Sequence, residues 1–259
     1  MDIILYNIIA CLASLIFGYF LGSIPVGVIL CRLFRGADPR ESGSKNSGGT
    51  NVGRLFGMKL GAATIILDAL KTIVPMIVVW VLVEFAGIKA LFYSQPGGYL
   101  VHDGAIMILL APLGATLGHC WPIYSDFRGG KAVASYTGFL LSTSWFSMIF
   151  SFLTFGITLK KTKYVSLSSM VGAATASVLA WAMYFVQKFA NISMSIFFWG
   201  FGLLDNPWVS ASLEFAIIST LMTGILIFRH RSNIRKLAAG TENKIKWMKW
   251  KISKNLVEN

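Results

Sequence analysis

The sequence predicts an all-α integral membrane bundle of about seven helices, two of them short half-helices, with the amino end outside and the carboxyl end cytoplasmic. Hydrophobic residues make up 55% of the 259 and charged ones only 13%, a balance foreign to soluble or disordered chains. The apolar residues come in runs of bilayer length, and the glycines, amides and cations gather in clusters between them. When the runs are threaded back and forth, 20 of the 23 Lys and Arg fall on one side, as cytoplasmic loops require.

Residues 3 to 31 form the first span, and Arg32 and Arg35 mark its inner end. A charged leader and small-residue cleavage site are missing ahead of it, so it reads as retained. Gly22-Ser-Ile-Pro-Val-Gly27 interrupts the helix, because Pro25 removes a donor; a plain kink and a functional break are both open readings. Residues 38 to 54 are a hydrophilic island. A second span, about 60 to 85, holds Asp68 and Lys71 three residues apart on one face. Whether as a structural pair or as part of a polar cavity, they must face the bundle. Residues 87 to 103 read as an external loop and 104 to 117 as an inward span.

Residues 132 to 159 look like one crossing, but that places Lys160, Lys161 and Lys163 outside. A reversal near Ser142-Thr-Ser144 gives two half-helices and returns these lysines to the cytoplasm. Broken helices of this kind usually line a cavity. Residues 165 to 186 cross outward, 191 to 208 make an aromatic excursion, and 209 to 228 return. Residues 1–243 therefore form a membrane-embedded domain, followed by a basic cytoplasmic tail, 244–259.

The net charge of +12 is explained by cytoplasmic loops facing anionic lipid headgroups, and by anionic substrates; nucleic acid is not an expected partner. Cys11, Cys31 and Cys120 suggest neither a disulfide framework nor a metal site, and no cofactor is expected.

The island carries Gly43, Gly48, Gly49 and Gly53 among Ser44, Asn46, Thr50 and Asn51, with cations Arg40, Lys45 and Arg54. Converging backbone N–H groups, hydroxyls and cations make an anion cradle, although the same residues also suit a solvated turn. Gly43 to Thr50 nearly matches a nucleotide-binding P-loop, but Gly49 stands where the Lys belongs and no strand precedes it. Arg128, Gly129, Gly130 and Lys131 precede a helix start near Ala132, forming a second candidate anion site. Residues 229 to 242 form a third polar cluster. All three lie at helix ends on the predicted cytoplasmic side, outlining one site for a ligand with more than one anionic group.

Residues 43–54, 118–134 and 229–242 resemble, in order, the three signature motifs of the bacterial acyl-phosphate:glycerol-3-phosphate acyltransferases (PlsY-type). The segments at 22–25, 67–71 and 163–167 are also similar, so the resemblance covers about residues 20 to 245. It implies acyl transfer from acyl phosphate to the sn-1 hydroxyl of sn-glycerol 3-phosphate at the cytoplasmic face of the bacterial cell membrane, giving lysophosphatidic acid and phosphate. By motif match, Ser44, Arg54, Lys131, His230 and Asn233 are catalytic. Gly43, Asn46, Gly48, Gly49, Thr50, Asn51, Arg128, Gly129, Gly130, His119 and Glu242 bind substrate. The chain departs from the pattern at Lys45 and Ala132, where the family has Gly, at Gly49 for Ala and at Arg128 for Lys.

An acyl phosphate needs no covalent enzyme intermediate once the leaving phosphate is held. Either His230 or that phosphate accepts the hydroxyl proton. The His, four residues, Asp pair of acyl-CoA-dependent enzymes is missing, since Met107, Tyr124 and Arg235 stand five places after His102, His119 and His230; acyl-CoA is therefore not expected to be the donor. The alternative reading is a transporter or channel for organic phosphates. A metal-dependent headgroup transferase would need closely spaced Asp residues, and Asp68 is the only Asp of its span.

Overall fold

A computed structural model describes residues 3–85, 105–199 and 209–245 and is helical, with no strand among them. Ten α-helices are defined among the described residues: α1 Ile3–Gly22, α2 Val26–Arg35, α3 Gly49–Phe56, α4 Met58–Phe85, α5 Ala105–Cys120, α6 Val133–Thr143, α7 Trp145–Thr162, α8 Val165–Ala190, α9 Leu213–Arg229 and α10 Arg231–Ala238. Among the described residues, four stretches are long and apolar enough to cross a membrane: Leu5–Arg35, Met58–Phe85, Ala105–Ser125 and Val165–Ala190. The bent pair α9 and α10, turned by 57°, adds a fifth if counted as one span. The external loop expected at 87–103 lies outside the described residues, as do 200–208 of the aromatic excursion and nearly all of the basic tail.

Apolar residues face both ways, as lipid solvation permits. Ile8, Leu12 and Ile16 on α1 and Ile66, Val74 and Leu82 on α4 are exposed. Inside, Phe139 stacks on Phe215 at 5.6 Å between ring centres, and Phe198 meets Phe215 edge-on at 5.1 Å.

In lipid, where burying apolar area drives little helix association, small residues let backbones approach. The α1–α5 pair shows this reciprocally. A Cβ at Gly18 or Gly22 would collide with the carbonyls of Ala111 or Ala115, and one at Gly114 or Gly118 with those of Leu15 or Tyr19. Ser14 Oγ donates to Met107 O at 2.6 Å, and Tyr19 Oη to Trp121 O at 2.9 Å. Together these contacts anchor the end of α5, from which the second polar cluster departs.

The reversal expected near Ser142–Ser144 is present at Ser144, whose backbone is extended between α6 and α7. The first piece has 11 residues, about 16 Å at 1.5 Å per residue, well short of a hydrocarbon core. The second has 18 residues and is longer than a half-helix. A break at this depth needs partners for its backbone. Ser144 Oγ accepts from Ser147 N, Trp199 N donates to Thr143 O at 3.0 Å, and Ser144 Oγ donates to Phe197 O at 3.0 Å. The excursion after α8 thus plugs the turn, and α7 returns to the end of the bundle from which α6 began.

Candidate active site

Loop 36–48 leaves α2 through Gly36, whose φ of 62° is left-handed. Asp38 then receives Arg40 three times, from its backbone N at 2.9 Å, Nε at 3.0 Å and Nη2 at 2.7 Å. The Arg40 hydrogen bonds hold the Asp38 carboxyl down at about 2, against the opposing effect of burial. Arg40 Nη1 reaches across to Ser125, donating to Oγ at 2.6 Å and to O at 3.1 Å. Arg40 therefore clips the first loop to the second and is not a cradle cation.

Asn51, only 3% exposed, folds the loop back on itself. Its Nδ2 donates to the carbonyls of Pro39, Ser42 and Asn46, and its Oδ1 accepts from Ser44 N at 2.9 Å. Asn46 Oδ1 accepts from Gly48 N at 2.7 Å. Helix α3 then starts at Gly49 with no side-chain cap. With no side-chain cap, the first N–H groups of α3 are left to an outside partner, the arrangement that attracts an anion, and Ser44, Gly49 and Thr50 line the cavity described below. Gly49 is enforced by the close approach of α4, since a Cβ there would strike Ile65 and the Gly61 carbonyl.

The second loop turns through Asp126 and Phe127, both left-handed, and folds Gly130 under His119. Gly130 N donates to His119 O at 2.9 Å, and a Cβ at Gly130 would occupy the His119 ring. Helix α6 follows, also without a side-chain cap.

Arg229, at the end of α9, donates through Nε to Gly130 O and through Nη2 to Gly129 O, both at 3.0 Å, and sits over the Trp121 ring at 5.2 Å. Asn46 Nδ2 donates to Gly129 O at 3.3 Å. All three clusters therefore meet at the Gly129–Gly130 carbonyls.

Around this junction lies a cavity of about 330 Å³. Twelve of the expected site residues line it: Ser44, Asn46, Gly48, Gly49, Thr50, Asn51, Arg54, His119, Lys131, His230, Asn233 and Glu242. Gly43, Arg128, Gly129 and Gly130 do not. Gly43 is a left-handed turn against Asn51 (φ 63°), Arg128 is exposed, and the other two glycines supply the close packing just described. Apolar side chains Ile65, Val133, Leu140, Phe152, Phe155 and Val165 line it as well. The cavity is thus suited to an amphiphile.

Lys131 Nζ donates to Asn233 Oδ1 at 2.7 Å, Asn233 Nδ2 to Glu242 Oε1 at 2.8 Å, and Ser166 Oγ to the same Oε1 at 2.8 Å. Burial lowers the Lys131 pKa; Glu242 opposes this, while Arg54, Lys236 and Arg229 push it further down. Arg54 itself is exposed and has no ion-pair partner among the described residues.

His230, 3% exposed, lies just past the last residue of α9 and also caps that helix through its backbone N–H. Its Nδ1 is 2.8 Å from Leu226 O. A carbonyl can only accept, so Nδ1 carries the proton and Nε2 is the acceptor. Burial pushes the His230 pKa down to about 4; the Leu226 contact opposes this, and Lys131 and Arg229 favour it. The ring is therefore neutral near pH 7.

Ser166, Arg40 and Arg229 were not singled out from sequence as site residues. Arg40 and Arg229 stood within recognised clusters, but their partners lie 85 to 100 residues away. Ser166 sits in the 163–167 segment that also resembled the family, and its serine gave no separate signal.

The family model for glycerol-3-phosphate acyltransferase matches residues 12–240. Relatives of that name include one from Bradyrhizobium sp., 36% identical over 232 residues and covering 90% of this chain and 93% of the relative. Another, from Nitrobacter winogradskyi, is 35% identical over 234 residues and covers 90% and 95%. Among solved structures, the glycerol 3-phosphate form of PlsY, an integral membrane glycerol 3-phosphate acyltransferase, matches with a TM-score of 0.68 at 28% identity, covering 91% of this chain and 95% of that one. Its lysophosphatidic acid form matches with a TM-score of 0.65. The chain belongs to the glycerol-3-phosphate acyltransferase family.

Proposed function

We propose that the chain transfers a fatty acyl group from acyl phosphate to the sn-1 hydroxyl of sn-glycerol 3-phosphate, at the cytoplasmic face of the bacterial cell membrane. The observation that carries this reading is that Arg54, Lys131, His230 and Asn233 line one cavity together with apolar side chains of α4, α6, α7 and α8. Such a pocket receives two phosphoryl groups on its polar residues and a hydrocarbon chain against its apolar ones. Solved structures of the similar PlsY in glycerol 3-phosphate and lysophosphatidic acid forms support the acceptor and the product class.

In this mechanism Arg54, Lys131 and the uncapped N–H groups of α3 hold phosphate charge. The glycerol C1 hydroxyl attacks the acyl carbonyl, the carbonyl–O–phosphate bond breaks, and inorganic phosphate leaves. His230 Nε2 accepts a hydrogen bond from the attacking hydroxyl and orients it. With a pKa held at about 4, the ring is a weak base, so the proton ends on the departing phosphate. No covalent enzyme intermediate forms.

The same cavity read as a transport site would move organic phosphate without making an ester. Proteoliposomes carrying the chain separate the two. With glycerol 3-phosphate and palmitoyl phosphate they are expected to accumulate lysophosphatidic acid and release phosphate in equal amounts; phosphate-dependent flux with no ester would overturn the reading.

A further inference from the structure

We propose that Lys71, Asp68 and His119 are positioning residues that act as one strut and set the spacing between the two phosphate-holding loops. Asp68 and Lys71 lie mid-helix in α4, with side chains 3% and 8% exposed, and Lys71 Nζ is 3.0 Å from Asp68 Oδ1. Groups this expensive to bury are kept in a membrane when they are tied to something specific. Here each end of the pair is tied to a different loop.

On one side, Lys71 Nζ donates to Ile24 O at 3.0 Å, at the break made by Pro25. Three residues later Gly27 packs directly on the Ser47 carbonyl, where a Cβ would collide. Ser47 immediately precedes Gly48 and the uncapped start of α3. On the other side, His119 Nδ1 lies 3.4 Å from the same Asp68 Oδ1. The His119 carbonyl holds Gly130 N at 2.9 Å and its ring lies against Gly130, the residue before Lys131. Asp68 and His119 also form part of the cavity wall. A single carboxylate oxygen thus couples the α3 anion cradle to the Lys131 loop, and the broken first span gains a purpose, since the Ile24 carbonyl at the break is the anchor for Lys71.

The kinetic part of the test rests on the acyl-transfer reading; the structural part does not. Asp68→Asn with Lys71→Met removes both charges and leaves no unpaired buried ion. Hydrogen exchange is measured on this double variant and on the unaltered chain, in one detergent. Segments 42–54 and 118–132 are expected to exchange about tenfold faster, with the interiors of α4 and α5 unchanged, because the loops open locally. The kcat for lysophosphatidic acid formation is expected to fall at least about tenfold, as misplacement of holding groups demands. Lys71→Arg, which keeps charge and donors, should restore most of both; if the double variant does not fold, Lys71→Gln and His119→Gln, each compared with Lys71→Arg, carry the same two measurements. Unchanged exchange in both loops overturns the proposal, and so does uniformly faster exchange through α4 and α5, the mark of an ion pair that only stabilises. If the unaltered chain makes no ester, the acyl-transfer reading fails alone, and the exchange result still decides the strut.

Discussion

Lys131 and Asn233, 102 residues apart in sequence, are joined by a hydrogen bond of 2.7 Å, and the other end of the same amide is held by Glu242 at 2.8 Å. The amide aims the ammonium group without neutralising it. Asn233→Asp would place a carboxylate on Lys131 and repel phosphate. It is expected to lower kcat/KM by at least about tenfold, about 1.4 kcal/mol, since a carboxylate paired with the ammonium group withdraws it from phosphate. Steady-state kinetics with glycerol 3-phosphate varied checks this; unchanged kinetics would contradict the assigned role of Lys131.

Arg54→Ala and Lys131→Ala each remove a cation placed where phosphate charge is held. Loss of one such preorganised group typically costs about 10²- to 10³-fold in turnover. Arg54→Ala should keep the thermal unfolding midpoint of the parent, because that side chain is exposed and closes no ion pair among the described residues, whereas Lys131→Ala also loses the hydrogen bond to Asn233 and should lower the midpoint by a few degrees. Near-normal turnover in either would remove the clamp from the mechanism.

His230→Gln tests the proton acceptor. If the ring only orients the hydroxyl, the loss should be on the order of tenfold, below the roughly 10²- to 10⁴-fold expected of a general base. The kcat profile should also lack an inflection at the ordinary histidine value. In stability the sign is fixed by burial: the unfolded ring protonates near the ordinary histidine value of 6.5 and the native one only near 4. The native state therefore binds fewer protons between these values, and stability falls as pH drops from about 6.5 to about 4. Replacing His230 with Gln should flatten that part of the stability profile.

Two departures from the family pattern fall where the backbone is left-handed. Lys45 has φ 52° and Ala132 has φ 63°, and the resemblance places Gly at both. A side chain there costs roughly 1 kcal/mol, partly offset because Gly gains more entropy on unfolding. Lys45→Gly and Ala132→Gly are each expected to raise the unfolding midpoint slightly, by up to a few degrees, with activity retained. A lower midpoint at Ala132 would mean that its buried methyl contributes more packing than the backbone strain removes.

What was legible in the sequence was chemistry at helix ends. Charge placement alone forced the reversal at Ser144, and cost alone required Asp68 and Lys71 to face inward; both hold in the structure. What was not legible was which polar group serves a ligand and which serves the chain. Asn51 has the composition of a phosphate ligand, yet its amide is consumed by three carbonyls and one N–H of its own loop. Arg128 stands in a basic motif, yet it is exposed and does not line the cavity, and Arg229 holds the loop in place. These assignments depend on backbone carbonyls brought near by folding, and a one-dimensional pattern carries no record of them. The tight approach of α1 to α5 belongs to the same class, because it is a matter of which glycine meets which carbonyl.

Acyl transfer from acyl phosphate is decided by supplying purified chain with glycerol 3-phosphate and one acyl donor at a time, and identifying the lipid by mass spectrometry. With palmitoyl phosphate the account predicts 1-palmitoyl lysophosphatidic acid and one phosphate released per ester; with palmitoyl-CoA it predicts none. Rapid ester formation from palmitoyl-CoA alone, or no ester from palmitoyl phosphate, would contradict it.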